Sequence, residues 1–189
     1  MALTLRPTQL LPVIVCALLA PYGEARAEGE RALSVGLSWA TFSVPGVAEG
    51  NMEPPNVTPT VGGALTGIYE QSISTDFSLR GELAGGLFYG GQKMDQAALS
   101  YAGLIDVGAV LRFDVLKYVP YAFGGIGGMF TTGGPIGDNA SLVLAVGGGL
   151  DVLTSRERSW GVEARLASFG GDVTMFTFGL RGTIRWGYF

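Results

Sequence analysis

From Ala32 to the end of the chain, apolar side chains return at every second position in eight successive runs, and a period of two specifies strands. The run 76–90 is the clearest. Phe77, Leu79, Leu83, Leu87 and Tyr89 share one parity with Gly81 and Gly85, while Ser78, Arg80, Glu82, Ala84, Gly86 and Phe88 share the other. A helix would bring Arg80 and Leu83 onto one face; a strand keeps them apart.

The same alternation sets Leu33, Val35, Leu37 and Trp39 against Ser34, Gly36 and Ser38 in 32–42. In 99–113 it sets Leu99, Tyr101, Ile105, Val107, Ala109, Leu111 and Phe113 against Ser100, Asp106, Gly108 and Arg112. Leu142, Leu144, Val146, Leu150 and Val152 oppose Ser141, Ala145, Gly147, Gly149 and Asp151, and Trp160, Val162, Ala164 and Leu166 oppose Glu163 and Arg165. The last run sets Phe176, Phe178, Leu180, Ile184, Trp186 and Tyr188 against Thr177, Gly179, Arg181, Thr183 and Arg185. Two runs are blurred. In 60–70, Val61, Leu65 and Tyr69 oppose Thr60, Thr66 and Glu70, but Ile68 falls on the polar parity. In 118–130, Tyr121, Phe123 and Met129 oppose Ala122, Gly124 and Gly128, and Ile126 breaks the pattern. Pro120 puts the start of that strand near a rim or bulge.

Eight strands need seven connections. Residues 43–59, 91–98, 131–140 and 169–174 form the first, third, fifth and seventh; the others, 71–75, 114–117 and 153–158, are mostly shorter. Link 169–174 is also short, so the alternation is imperfect, but short turns at one end and longer loops at the other match a closed, antiparallel, up-and-down barrel with both termini on the turn side.

Polarity decides which face meets solvent. Hydrophobic residues make up 48% of the 189 and charged residues 15%, at a mean hydropathy of +0.35. Past residue 27 there is no apolar run near the ~18–20 residues of a membrane helix. The charged parity is rich in Gly, Ala and Ser, which suit a narrow lumen, and its charges are few and of both signs. Tyr69, Tyr89, Tyr101, Tyr118, Trp160, Trp186 and Tyr188 gather near strand ends, where amphipathic rings sit at a lipid–water boundary. The expectation is an all-β, closed eight-stranded antiparallel transmembrane barrel. Its oily parity faces lipid, and Arg80, Glu82, Asp106, Arg112, Glu163, Arg165, Arg181 and Arg185 form a lumen network.

Residues 1–27 read as a cleaved export signal, with Arg6 before the apolar stretch 10–20 and a small-x-small site at Ala25-Arg26-Ala27. Cleavage after Ala27 is the first choice and after Ala25 the second, leaving 28–189 as the barrel domain. The single cysteine, Cys16, leaves with the signal, so no disulfide or thiol chemistry is expected. With Arg6, Arg26 and Glu24 removed, 12 basic and 16 acidic residues become 10 and 15, a balance that gives no reason to expect nucleic acid as a partner.

The carboxyl end, Thr183-Ile184-Arg185-Trp186-Gly187-Tyr188-Phe189, resembles the terminal signal read by the barrel assembly machinery of outer membranes. Phe189 is out of phase with Trp186 and Tyr188, so Tyr188 is the in-phase aromatic. Tyr118-Val119-Pro120-Tyr121-Ala122-Phe123-Gly124-Gly125-Ile126-Gly127 and Gly147-Gly148-Gly149-Leu150-Asp151-Val152 resemble strands of the OmpA/OmpX-like outer-membrane β-barrel family. The resemblance covers residues 31–189 and implies a bacterial outer-membrane location with outer-membrane lipid as a partner. It implies architecture more than activity, since that family spans structural proteins, adhesins and others. No peptidoglycan-binding domain is expected.

Chemistry is sparse. The chain has no histidine, which removes a His-dependent triad, a His metal site and the His–Ser pair of lipid-A-deacylating barrels. Glu82 and Asp106 lie on adjacent strands with the same parity, but neutralisation by Arg80, Arg112 and Arg181 is the better reading than catalysis. Gly124–Gly128 and Gly147–Gly149 lack the Lys-Ser/Thr of a phosphate loop. Asp138 with Asn139, or Glu49 with Asn51 and Glu53, are acidic loop clusters without calcium-loop spacing, read as solvated. No cofactor or metal is expected. The leading function is a non-enzymatic barrel serving envelope structure or surface contact through its extracellular loops, the ligand undetermined. The alternatives are a small porin-like channel and, third, a lipid-modifying enzyme.

Overall fold

The computed structural model describes residues 29–46, 56–91, 98–113, 117–169 and 173–187. The proposed signal 1–27, the loop residues Glu49, Asn51 and Glu53, and the terminal Tyr188 and Phe189 lie outside the described residues. Where alternation runs unbroken the chain is strand: β1 (Arg31–Pro45), β3 (Val61–Ser72), β4 (Phe77–Tyr89), β5 (Leu99–Arg112), β6 (Tyr118–Thr132), β7 (Asn139–Leu153), β8 (Arg158–Phe169) and β9 (Val173–Trp186), with a two-residue β2 (Asn56–Val57) between the first two. Consecutive barrel strands pair antiparallel, and β1 pairs with β9 from Arg31↔Trp186 to Ser43↔Thr174, closing the ring. Closure satisfies every ladder within the sheet, the condition for strands to cross a bilayer.

The oily parity faces outward. Leu37 is 70% exposed and Leu83 65%, whereas Arg80 and Arg181 are 3% and 4% exposed. Tyr69, Phe77, Phe113, Tyr118, Trp160 and Trp186 form an outward-facing girdle at the turn end, and Trp39, Tyr89, Tyr101, Phe130 and Phe178 form one at the loop end. The thirteen residues of β4 span about 40 Å at about 3.3 Å per residue, or roughly 30 Å of membrane at a tilt near 40°. That length matches a hydrocarbon slab with a ring of aromatics at each boundary.

Three local features depart from the sequence expectation. The first connection is not wholly loop: Val44 and Pro45 pair with Val57 and Asn56, extending β1 as a short ribbon. The fifth is shorter than expected, because β6 and β7 run on to Thr132 and Asn139. A 3-10 turn, Gly134–Ile136, joins them, and it turns Ile136 inward, where it is buried. Asp138 clamps this turn, accepting from Thr132 Oγ1 at 2.5 Å and Gly133 N at 3.3 Å. These donors hold its carboxyl below the usual carboxylate range, so the clamp is complete above that range and is lost as pH falls through the lowered value.

The third departure is β6. Its large parity, Tyr121, Phe123 and Met129, points into the lumen, and Ile126 points out at 51% exposure. The cause lies on the neighbouring strand. A Cβ on Gly149 would collide with Tyr121 Oη, and one on Gly147 would collide with Phe123 Cζ. Lumen-facing glycines on β7 vacate the space those rings fill.

Leu83 lies midway along β4, so Leu83→Arg should cost about 2–4 kcal/mol in reversible unfolding from lipid vesicles. Thr75→Arg, in an exposed turn, should stay within about 0.5 kcal/mol of the parent. Equal tolerance at both positions would contradict a lipid-facing wall.

Candidate functional site

The lumen is built in two layers. Toward the loop end it is apolar: Phe42, Val44, Phe88, Leu104, Met129, Val143, Val173, Met175 and Ile136 pack together. Phe42 and Phe88 meet edge to face, their centroids 5.2 Å apart. Toward the turn end it is ionic. Glu70, Arg80, Glu82, Asp106, Asp151, Arg165, Arg181 and Arg185 are all buried, and the side chains of Glu163 and Arg112 are 13% and 10% exposed.

Three arginines organise the ionic layer. Arg80 Nη2 donates to Glu82 Oε2 at 2.6 Å and Glu163 Oε1 at 2.7 Å, and its Nη1 donates to Glu163 Oε2 at 3.0 Å. Arg181 grips Asp151 with both prongs, Nε to Oδ1 at 3.0 Å and Nη2 to Oδ2 at 2.8 Å. Its Nη1 reaches Glu163 Oε2 at 3.1 Å and Glu70 Oε1 at 3.3 Å. Arg185 Nη2 shares Asp151 Oδ2 at 3.1 Å. Arg112 pairs with Glu70 and Arg165 with Glu82. The inward rings of β6 join in. Phe123 carries the Arg80 guanidinium at 3.9 Å from its centroid, Tyr121 carries that of Arg181 at 4.1 Å, and Tyr121 Oη donates to Glu163 at 2.9 Å.

All eight lumen residues expected from the sequence therefore face inward, and seven of them join the ion-pair network. Glu70, Asp151 and Tyr121 complete it. The inward parity of Glu70 and Asp151 was legible, whereas that of Tyr121 was not, and the partners of all three lie far along the chain: 111 residues separate Arg181 from Glu70. Asp106 is the exception. It sits opposite Glu82 in the β4–β5 register, and its Oδ2 has no hydrogen-bond partner among the described residues. A carboxylate facing another carboxylate in a buried register pair is unfavourable. Five arginines and five carboxylates balance in this layer, and both acids of the Glu82–Asp106 pair lie inside it. Among the described residues no group of three or more Asp, Glu, Cys or His has metal-binding geometry. Of the terminal aromatics, Trp186 lies on the outer face at the end of β9.

An apolar wall, aromatic girdles, short turns at one end and a charged interior define a closed, eight-stranded transmembrane β-barrel. Solved structures agree at the level of fold. Neisserial surface protein A matches with a TM-score of 0.61 at 12% identity, over 82% of this chain and 97% of that one. The outer membrane protein OprG of Pseudomonas aeruginosa matches at 0.55 and 12% identity, over 84% and 96%. Ail, the attachment invasion locus protein of Yersinia pestis, solved with the heparin analogue sucrose octasulfate, matches at 0.53 and 18% identity, over 84% and 99%. These are OmpA/OmpX-like barrels in architecture. No protein-family model matches the sequence, and no curated protein matches it.

Glu163→Gln removes a carboxylate that serves Arg80, Arg181 and Tyr121 and should cost about 3–5 kcal/mol. Asp106→Asn removes a like-charge apposition and should leave the barrel as stable or more so. Denaturant unfolding of both variants in vesicles checks the contrast; equal losses would mean that Asp106 is paired in the membrane.

Proposed function

We propose that this protein is a non-enzymatic barrel that strengthens the outer membrane and presents loops for surface contact. The observation that carries the reading is the sealed lumen. An apolar plug across the loop half and an ionic layer across the turn half fill the section that eight strands enclose. Conduction would require Phe42, Phe88, Met129 and Met175 to separate at one level and the arginines to release their carboxylates at another. With its interior occupied, the part of the molecule left to meet a partner is the set of loops 43–59, 91–98 and 131–140.

Those three loops and link 169–174 together carry Glu49, Glu53, Asp95, Asp138 and Asp172 but only one cation, Lys93. An acidic crown favours a basic partner over a polyanion, unlike the complex solved for Ail. Export through residues 1–27, with removal after Ala27 or Ala25, and recognition of Trp186, Tyr188 and Phe189 by the barrel assembly machinery belong to the same reading.

In planar bilayers the purified barrel should give no steady open level, and Arg80→Ala should not create one while the plug is intact. A stable conductance abolished by changing Arg80 or Arg181 would replace this reading with a channel. Nanodiscs carrying the barrel should pass unretained over immobilised heparin at about 0.15 M salt, where short-range charge contacts still act; retention would overturn the preference for a basic partner.

A further inference from the structure

The outer face of the barrel is not uniform around its turn-end boundary. From β3 to β7 the outward side chains there are uncharged, Tyr69, Phe77, Leu111, Tyr118 and Leu150 among them. Arginines take their place on β1 and β8, the strands on either side of β9. Arg31 and Arg158 begin those strands and are exposed. They share the outward parity of Leu33 and Trp160, so they stand on the opposite side of the wall from the ionic layer.

The ladders fix how the two arginines relate. Arg31 lies opposite Trp186 on β9, and Arg158 lies opposite Ile184. Two strand spacings across and a two-residue offset put their Cα atoms about 12 Å apart, with the Trp186 ring between them. Two extended arginine side chains span that gap while their stems lie along apolar wall. Of the acids next to them in sequence, Glu30 places Oε1 3.3 Å from Arg185 Nε, and Glu157 stands in the turn beyond the end of β8.

Deeper in the membrane the same seam is indented. Gly182 lies opposite Trp160 on one side and Val35 on the other, and the place where its Cβ would stand is open space. Cations at the boundary above an apolar dip match the layout of a phospholipid, phosphate outermost and acyl chain within. A free anion would use the guanidinium groups but leave the dip empty. Charge complementarity selects among headgroups, because a zwitterionic one brings its own cation to the arginines and an anionic one does not.

The structure assigns the closure seam β8–β9–β1 as a binding site for a phospholipid with a net negative headgroup in the turn-side leaflet. The phosphate lies on Arg31 and Arg158, and one acyl chain lies over Gly182 beside Trp160. This is independent of what the loops contact.

The three tryptophans of the chain report on the site: Trp160 and Trp186 lie at the seam, and Trp39 lies at the other boundary. The full barrel is reconstituted in phosphatidylcholine vesicles with rising fractions of brominated phosphatidylglycerol, or of brominated phosphatidylcholine for comparison. Quenching of tryptophan emission then gives the relative affinity. In Trp39→Phe, where only the seam rings emit, phosphatidylglycerol should be preferred by at least about fivefold, the effect of one arginine beside an anionic headgroup. With Trp160→Phe and Trp186→Phe combined, only Trp39 emits and the preference should vanish. Arg31→Gln and Arg158→Gln, each made in Trp39→Phe, should lower it several-fold. Lys117→Gln, in the turn before β6 on the far arc, should leave it unchanged, and excess glycerol 3-phosphate should not relieve the quenching. Each variant is first shown to be folded by heat-modifiable gel migration. The assignment is overturned by equal preference at both boundaries, by a preference that survives loss of both Arg31 and Arg158, or by displacement with glycerol 3-phosphate.

Discussion

Closure of β1 on β9 is the constraint from which the other features follow. In hydrocarbon an unpaired strand edge leaves its amides without any partner, so the sheet must return to its own first strand. Once eight strands close, the wall has an outside that must be oily and an inside too narrow for bulk water. The outside is met by leucines, valines and glycines between two aromatic rings. The inside has to be filled, and the chain fills it in two chemically different ways.

The ionic layer is costly to build, because ten charged groups leave water, and such networks seldom add net stability over a well-packed apolar filling. Their value here is directional. Shifting a strand by one residue in its ladder would turn Arg80 and Glu82, or Arg181 and Arg185, toward lipid. An all-apolar lumen would tolerate that slip, since either face would then suit either side. The arginines thus define which parity is interior, and stacking on Tyr121 and Phe123 fixes where each guanidinium lies.

Much of this was readable from residue order. Alternation gave the strands, and the few mixed-sign charges on a small-residue parity gave the inversion of inside and outside. β6 was misleading because its large residues share the inward parity, and only the opposed glycines of β7, two dozen residues later, make room for them. The plug was equally hidden. Phe42, Phe88, Met129 and Met175 stand on four strands, and no local pattern places them at one height. Ion-pair partners follow the same logic: Arg80 meets Glu163 across 83 residues, a pairing set by barrel register. What the loops touch is least legible, since a scaffold of this kind carries many roles on one architecture.

The equal count of arginines and carboxylates in the ionic layer also bears on how the barrel sits in an electric field. A potential difference between the two sides of a membrane does work only on net charge displaced through it. Here the five arginines and five carboxylates of the layer sum to neutrality, so a Donnan potential across the membrane exerts no net force that would draw the filling as a unit toward either side.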